Sequence, residues 1–377
     1  MSEHTISVRT TQLEPVWVRI VRVVGGRVSS AILISLLLGV AVVAFSGSGP
    51  IEVFSALLTG AVTESGPRNT LARAVPIGGM ALAFSIPYRA GVVNLGGQGQ
   101  MVLGGLVGSI VAIYAPGPDP LVLVVAIVAG AATGAAWAAL AALGQWKLML
   151  PILITTLLSN YIADAISGYL IRYHVGDPGA SAIAMKPIPL DRRVPTLPIL
   201  GGVTVSVVVL VIVVIVISIH DRRRVAGYES LMTGYNPSFA WYGGLAVDRQ
   251  RSTLLIVGGA IGGAVGANLI VGQLFVNIHG DITGTAFAWT GLMVALIAPR
   301  NPIAIAIAAL GFAGLQVGGL AMQRETGVPG SLALVLQGII IVVFMTRLVF
   351  VRSTWAPRRR APNADTTLGT IGGGKDA

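Results

Sequence analysis

Long apolar runs, separated by short polar or glycine-rich breaks, set the pattern of this chain from residue 28 to residue 350. A helix of about 20 apolar residues, at about 1.5 Å rise each, matches the hydrocarbon thickness of a bilayer. Ten runs read as spans of this kind: 28–46, 71–88, 98–115, 121–143, 149–171, 199–219, 254–275, 284–298, 302–321 and 331–350. The eighth is short, and on this reading its helix begins near Asp281. The first follows a leader of 27 residues and is itself 19 residues long, so it reads as an uncleaved span rather than a secretory signal. The pattern predicts an all-α integral membrane protein of about ten transmembrane helices.

Composition agrees. The 377 residues are 54% hydrophobic and only 11% charged, against roughly 25% charged in soluble domains. Mean hydropathy is +0.82. Glycine occurs 49 times, and small residues let membrane helices approach closely where no hydrophobic force brings them together. The absence of cysteine excludes disulfides, thiolate metal sites and a cysteine nucleophile. The net charge of +10 raises the question of nucleic acid, but the cations sit between apolar runs and no basic patch interleaves with aromatics, so none is expected.

Those cations also orient the spans. With both termini inside, the inner segments 1–27, 89–97, 144–148, 220–253, 299–301 and 346–377 hold 18 of the 25 Lys and Arg. Seven remain for the outer side, and this excess predicts cytoplasmic termini. The chain then divides into a cytoplasmic segment 1–27, a transmembrane domain 28–350, and a Pro, Arg, Gly and Thr-rich tail 351–377 that reads as disordered.

Two segments repeat at an offset of 183 residues. Asn94-Leu95-Gly96-Gly97 corresponds to Asn277-Ile278-His279-Gly280, and Val111 to Pro116 corresponds to Val294 to Pro299, with 22 residues from Asn to Pro in both. The same offset carries spans one to five onto six to ten. Five is odd, so the second copy is upside down: two inverted five-helix repeats, about 28–171 and 199–350, an arrangement used by many transporters. Chance likeness among apolar, glycine-rich segments is the competing reading.

Residues 89–100 interrupt two spans with Gly96, Gly97 and Gly99 and with the amides Asn94, Gln98 and Gln100. The glycines are expected to free the backbone from helix and to permit close packing. Non-helical backbone at membrane depth belongs where it is buried in protein or lines a wet cavity, although an ordinary capped turn would look the same. The deep polar residues are Asn160, Asp164, Asn268, Gln273, Gln316, Gln323 and Gln337. Interhelical hydrogen bonding is the ordinary role of the amides, whereas Asp164 should face an interior, a cavity or a partner. His279 and Asp281 fall in a short outer loop that could line an entrance. The candidate translocation-path residues are Asn94, Gly96, Gln98, Gln100, Asn160, Asn277 and Asp281. Between the sixth and seventh spans, residues 226–250 form an inner loop in which Asn236-Pro237 reads as the capped start of a short helix carrying Phe239, Trp241 and Tyr242. It reads equally as a partner-docking loop and as an interfacial anchor.

No phosphate-cradling G-x-x-x-x-G-K-[ST] loop, G-x-S-x-G elbow or H-E-x-x-H motif occurs. No catalytic residue, cofactor or metal site is proposed, and the chain reads as a conduit, not an enzyme.

At these segments the chain resembles the permease subunits of ATP-binding-cassette importers for nucleosides and simple sugars, kin to the branched-chain amino-acid permeases. The family's A-G-x-x-N-I-G-x-E-G-Q stands here as Ala90 to Gln100, with Gln98 in place of the Glu. Its cytoplasmic G-x-N-P-x-A-A-x-Y-x-G-I stands as Gly234 to Leu245, loosened at Phe239 and Gly244. Its L-N-Y-I-A is similar to Ser159 to Ala163, and its G-V-P…Q-G-I to Gly327-Val328-Pro329 and Gln337-Gly338-Ile339. The resemblance implies a bacterial cytoplasmic-membrane complex of two permease subunits, alike or different, a pair of ATPase subunits and an extracytoplasmic solute-binding protein. It makes Gly234, Asn236, Pro237, Trp241, Tyr242 and Gly243 part of an ATPase-coupling loop. It implies a nucleoside or simple sugar as cargo, with branched-chain amino acids as the alternative. An ion-coupled secondary transporter is the rival class, and Asp164 would be its deep carboxylate.

Overall fold

The computed structural model describes residue 37 and residues 49–341, except residues 64, 149, 199–200, 333, 336 and 340. The N-terminal segment, nearly all of the first predicted span, the last part of the tenth and the tail lie outside the described residues.

Twelve α-helices are described: α1 Pro50–Val62, α2 Gly66–Arg89, α3 Gly97–Tyr114, α4 Asp119–Leu148, α5 Ile152–Leu170, α6 Ser206–Arg223, α7 Val225–Tyr235, α8 Pro237–Tyr242, α9 Val247–Leu269, α10 Asp281–Gly284, α11 Phe287–Ile297 and α12 Pro302–Thr326. π-Helical turns, Ile171–Val175 and Ile270–Leu274, extend α5 and α9. Two-residue strands β1 Thr196–Leu197 and β2 Val203–Thr204 pair antiparallel before α6. The described positions among 332–341 are helical too.

Local sequence accounts for the boundaries. Asn301 caps α12, its side-chain oxygen accepting from the amides of Ile303 at 3.1 Å and Ala304 at 3.4 Å, with Pro302 at the first position. Gly327 ends the same helix at φ 72°, the left-handed conformation only glycine takes without strain. The short eighth span has a local cause. A one-turn helix does begin at Asp281, but Ala286 turns left-handed at φ 56° and breaks it before α11, which runs for 11 residues.

Among the described residues, five helices are long and apolar enough to cross a membrane: α2, α3, α4, α9 with its π turn, and α12. Helices α5 and α6 lie on the predicted fifth and sixth spans. Helix α1 has no counterpart in the apolar-run reading. It packs Val53, Ala56 and Leu57 against Met322 of α12 and the following Val328 and Leu332.

Helix α2 is the innermost span, buried over 78% of its apolar window against 28% for α4. Its residues Ile77, Met80 and Leu82 meet Met101 of α3, Leu269 and Ile270 of α9 and its turn, Val294 of α11 and Ile305 of α12 in one core. Helices α3, α4 and α9 touch backbone to backbone. A Cβ added at Gly134 would fall within 2.8 Å of Gly263, and one at Gly130 would lie 2.9 Å from the Gly104 carbonyl oxygen and 3.0 Å from that of Gly263. The helix ends sort into two groups. Arg251 Nε donates to the Ala90 carbonyl at 3.2 Å and Ser85 Oγ to that of Pro299 at 2.8 Å at one end. At the other, Arg192 Nε pairs with Asp119 at 2.8 Å while its Nη1 donates to the carbonyls of Ala112 and Ala115.

Candidate functional site

The segment between α2 and α3 is the centre of the Arg89 end. Gly91 turns the chain at φ 77°, and the backbone stays non-helical up to Gly96. Asn94 Oδ1 then accepts the Gly96 amide at 2.8 Å, and Asn94 Nδ2 donates to Gln100 Oε1 at 3.3 Å. Helix α5 holds the loop from the side. Thr156 Oγ1 accepts the Leu95 amide at 3.1 Å, Asn160 Nδ2 donates to the Leu95 carbonyl at 2.8 Å, and Asn160 Oδ1 accepts the Gly99 amide at 2.8 Å. Asn94, Gln100, Thr156 and Asn160 are all buried.

One expectation is corrected here. Gly97 and Gly99 do not free the backbone from helix, because both lie in the first turn of α3. Their use is close packing. A Cβ at Gly97 would come within 2.7 Å of Phe84, and one at Gly99 within 3.0 Å of Ala163 and 3.1 Å of Asn160.

The Arg89 end also carries the loop 226–250. Helix α8 starts at Pro237, and Asn236 caps it by accepting the Phe239 amide at 3.0 Å. Phe239, Trp241 and Tyr242 are exposed, Tyr242 at 82%. Helix α7 joins α8 to the spans. Gly234 sits against the Arg89 carbonyl with no room for a Cβ, and Gly91 faces it across the contact. Arg89 pairs with Asp221 at the end of α6. Thr233 donates to Gln250 at the start of α9, and Arg300 lies 4.0 Å over the Tyr235 ring. A continuous chain of contacts therefore runs from the exposed aromatics of α8 through Gly234 to the turn at Gly91 and the Asn94–Asn160 cluster.

The predicted path residues fall into two groups. Asn94, Gly96, Gln100 and Asn160 come together, with Gln98 half-buried on the first turn of α3. Asn277 and Asp281 form a second group further along α3 and α5, in a loop whose His279 comes to Asp164, one helical turn beyond Asn160. Asn277 is buried and donates to Ser109 Oγ at 3.2 Å, whereas Asp281 is exposed at the start of α10. Asp164 stands on α5 with His279 Nε2 at 4.0 Å. The other deep amides bond between elements. Ser206 donates to Asn268, Gln273 to the Ala72 carbonyl, Gln316 to Thr290 and Gln337 to the Phe312 carbonyl, while Gln323 accepts the Gly330 amide. Sequence reasoning missed Thr156, Gly91 and the Arg89–Asp221 pair. Thr156 was findable, since it stands four residues before Asn160 on one helix face.

Residues 66–345 match the family described as branched-chain amino acid transport system / permease component. The chain is 27% identical to the guanosine ABC transporter permease protein NupP of Bacillus subtilis, over 87% of this chain and 93% of that protein. It is 27% identical to the glucose ABC transporter permease protein TsgB13 of Haloferax volcanii, over 83% and 85%. With the nucleoside ABC transporter permease protein NupB of Lactococcus lactis subsp. cremoris it shares 25% identity over 89% and 93%.

Proposed function

The chain belongs to this permease family and is the permease subunit of an ATP-binding-cassette transporter, and we propose that it imports a nucleoside or a simple sugar. ATP is hydrolysed by a separate subunit that docks on α8, and solute arrives from an extracytoplasmic binding protein. The observation that carries this reading is the capped, aromatic-tipped α8, joined through Gly234 to the turn at Gly91. A helix with Tyr242 and Trp241 outermost offers the kind of anchor that dominates protein interfaces. Motion of that anchor would reach the Asn94–Asn160 cluster through the contact of Gly234 with Arg89 and Gly91.

The Arg89 end faces the cytoplasm in this proposal, with both termini on that side of a bacterial cytoplasmic membrane. Support comes from Arg222, Arg223, Arg224, Arg249, Arg251 and Arg300, which all belong to it. The ten-span, two-repeat arrangement is part of the same proposal. Asn94 and Asn277 support it, each standing in a non-helical stretch that follows a long helix, α2 before Asn94 and α9 with its π turn before Asn277. A second permease copy covers α5. Asp164 is 38% exposed there, on a helix that also exposes Leu158, Tyr161, Ile162 and Tyr169, and lipid is a costly neighbour for a carboxylate.

The test is reconstitution with a cognate ATPase and solute-binding protein from the same organism. Labelled guanosine, ribose and glucose are offered to proteoliposomes holding ATP inside. ATP-dependent uptake of one of them is expected. Uptake that needs an ion gradient and ignores ATP would replace this function with secondary transport.

A further inference from the structure

At the end opposite Arg89, a cavity of about 710 Å³ opens between α1, α2, α12 and the π turn after α9. Its floor is Leu269, Phe287 and Val317, all buried. One turn further along α2, Ile77 and Met80 are fully buried in the core.

Its lining is rich in donors. Arg68 and Arg324 are exposed at the mouth, and Arg73 is half-buried, five residues further along α2 and so about 7.5 Å deeper. The Arg73 guanidinium lies 5.8 Å from the centre of the Phe287 ring. Among the described lining residues the three guanidinium groups stand with one carboxylate, that of Glu325. The charge pattern of the whole chain gives this weight. Seven Lys and Arg lie outside the inner segments, and three of them line this one cavity. Of the other four, Arg192 is tied to Asp119, and Arg193 donates to the Ile188 carbonyl and lies over Phe275.

Guanidinium offers five donors and no acceptor, and its fork matches the paired oxygens of carboxylate and phosphate. A neutral sugar hydroxyl both donates and accepts, and the arginines serve only its accepting side, while Asn69, Gln273 and the lining Ser and Thr hydroxyls can serve the rest of a sugar. We propose that this cavity receives the solute through an oxyanion, and that the cargo is an acidic derivative of a sugar or nucleoside, a sugar acid or a sugar phosphate. This rests on the permease reading and its orientation, and it narrows the substrate class.

The test uses the full chain in lipid nanodiscs and matched pairs of probes: ribose with ribose 5-phosphate, guanosine with guanosine 5′-monophosphate, and glucose with glucuronate. Binding is read by thermal shift and calorimetry, independently of transport. At least one acidic probe is expected to bind tenfold or more tightly than its neutral partner. The phosphate and carboxylate arms show which oxyanion is preferred. Arg73→Gln should remove the preference and Arg73→Lys should keep part of it. Arg172→Gln, an equal loss of charge at the same end but outside the lining, should leave it intact. Arg324→Gln, at the exposed mouth, should weaken it even if Arg73→Gln fails to fold. Equal binding within every pair, no binding of any acidic probe at millimolar concentration, or a preference that survives both Arg73→Gln and Arg324→Gln overturns the proposal. Failure of ATP-dependent uptake with the acidic preference retained would instead overturn the importer and leave the site standing.

Discussion

Asn160 accepts the amide hydrogen of Gly99 at 2.8 Å, and the two residues are 61 positions apart in the chain. The same side chain donates to the Leu95 carbonyl, so one carboxamide clamps both sides of the turn into α3. Its donor and its acceptor are both used. No isosteric side chain reproduces both.

Removing it should therefore cost stability. Asn160→Ala leaves a buried amide and a buried carbonyl without partners, an expected loss of about 1–3 kcal/mol. Asn160→Asp keeps the acceptor for Gly99 but sets a second acceptor against the Leu95 carbonyl, and should be at least as damaging. Thermal melting of the two variants in detergent checks this. Wild-type melting of Asn160→Asp would show that the clamp does not matter.

Gly234 tests the joint between the loop and the spans. A methyl group there collides with the Arg89 carbonyl, and overpacking of a tight contact costs about 1–3 kcal/mol. Gly234→Ala should keep the protein in the membrane, lower its melting temperature and reduce uptake more than ATPase binding. Normal uptake would mean that the Gly234–Arg89 contact carries no motion.

Exposed aromatics on α8 make a separate prediction. Truncating an interface anchor costs about 2 kcal/mol or more, roughly a thirtyfold loss of affinity. Tyr242→Ala with Pro237→Ala should release the ATPase during purification and abolish uptake, at an unchanged amount of permease in the membrane. Co-purification and transport at wild-type levels would reduce α8 to an interfacial anchor.

Orientation is checked with reporters. A reporter active only in the cytoplasm should give signal when fused after residue 230 or residue 360, and none near residue 185. Signal at residue 185 would reverse the membrane orientation and move α8 away from any ATPase.

Asp164 separates the two transport classes. Asp164→Asn should retain expression and ATP-dependent uptake, since the amide keeps the shape and some hydrogen bonding. Collapse of uptake, together with sensitivity of the wild type to an uncoupler at constant ATP, would favour ion coupling.

Much of this fold was legible because membrane helices are specified by local composition. The Asn236-Pro237 start of α8 was readable for the same reason, since a cap and a first-position proline act within four residues. The tie between Asn160 and residues 95–99 was not, because its partners are backbone groups that carry no side-chain signature. Helix α1 escaped because at 13 residues, with Glu52 in its first turn, it is too short to register as a span. The cavity lined by Arg68, Arg73 and Arg324 needs α2 and α12 side by side, and nothing in the spacing of residues 68 and 324 announces that.

The backbone contact of α3, α4 and α9 through Gly104, Gly130, Gly134 and Gly263 has a mechanical consequence. Helices in touch at their backbones have little side-chain layer to shear, so the three are expected to move as one stiff chassis. Whatever opens and shuts must pivot around it. The natural pivots are the left-handed break at Ala286 and the wider-wound turns that end α5 and α9. On the proposed reading, α9 would hold the aromatic tip of α8 and the arginine-lined cavity at a constant separation.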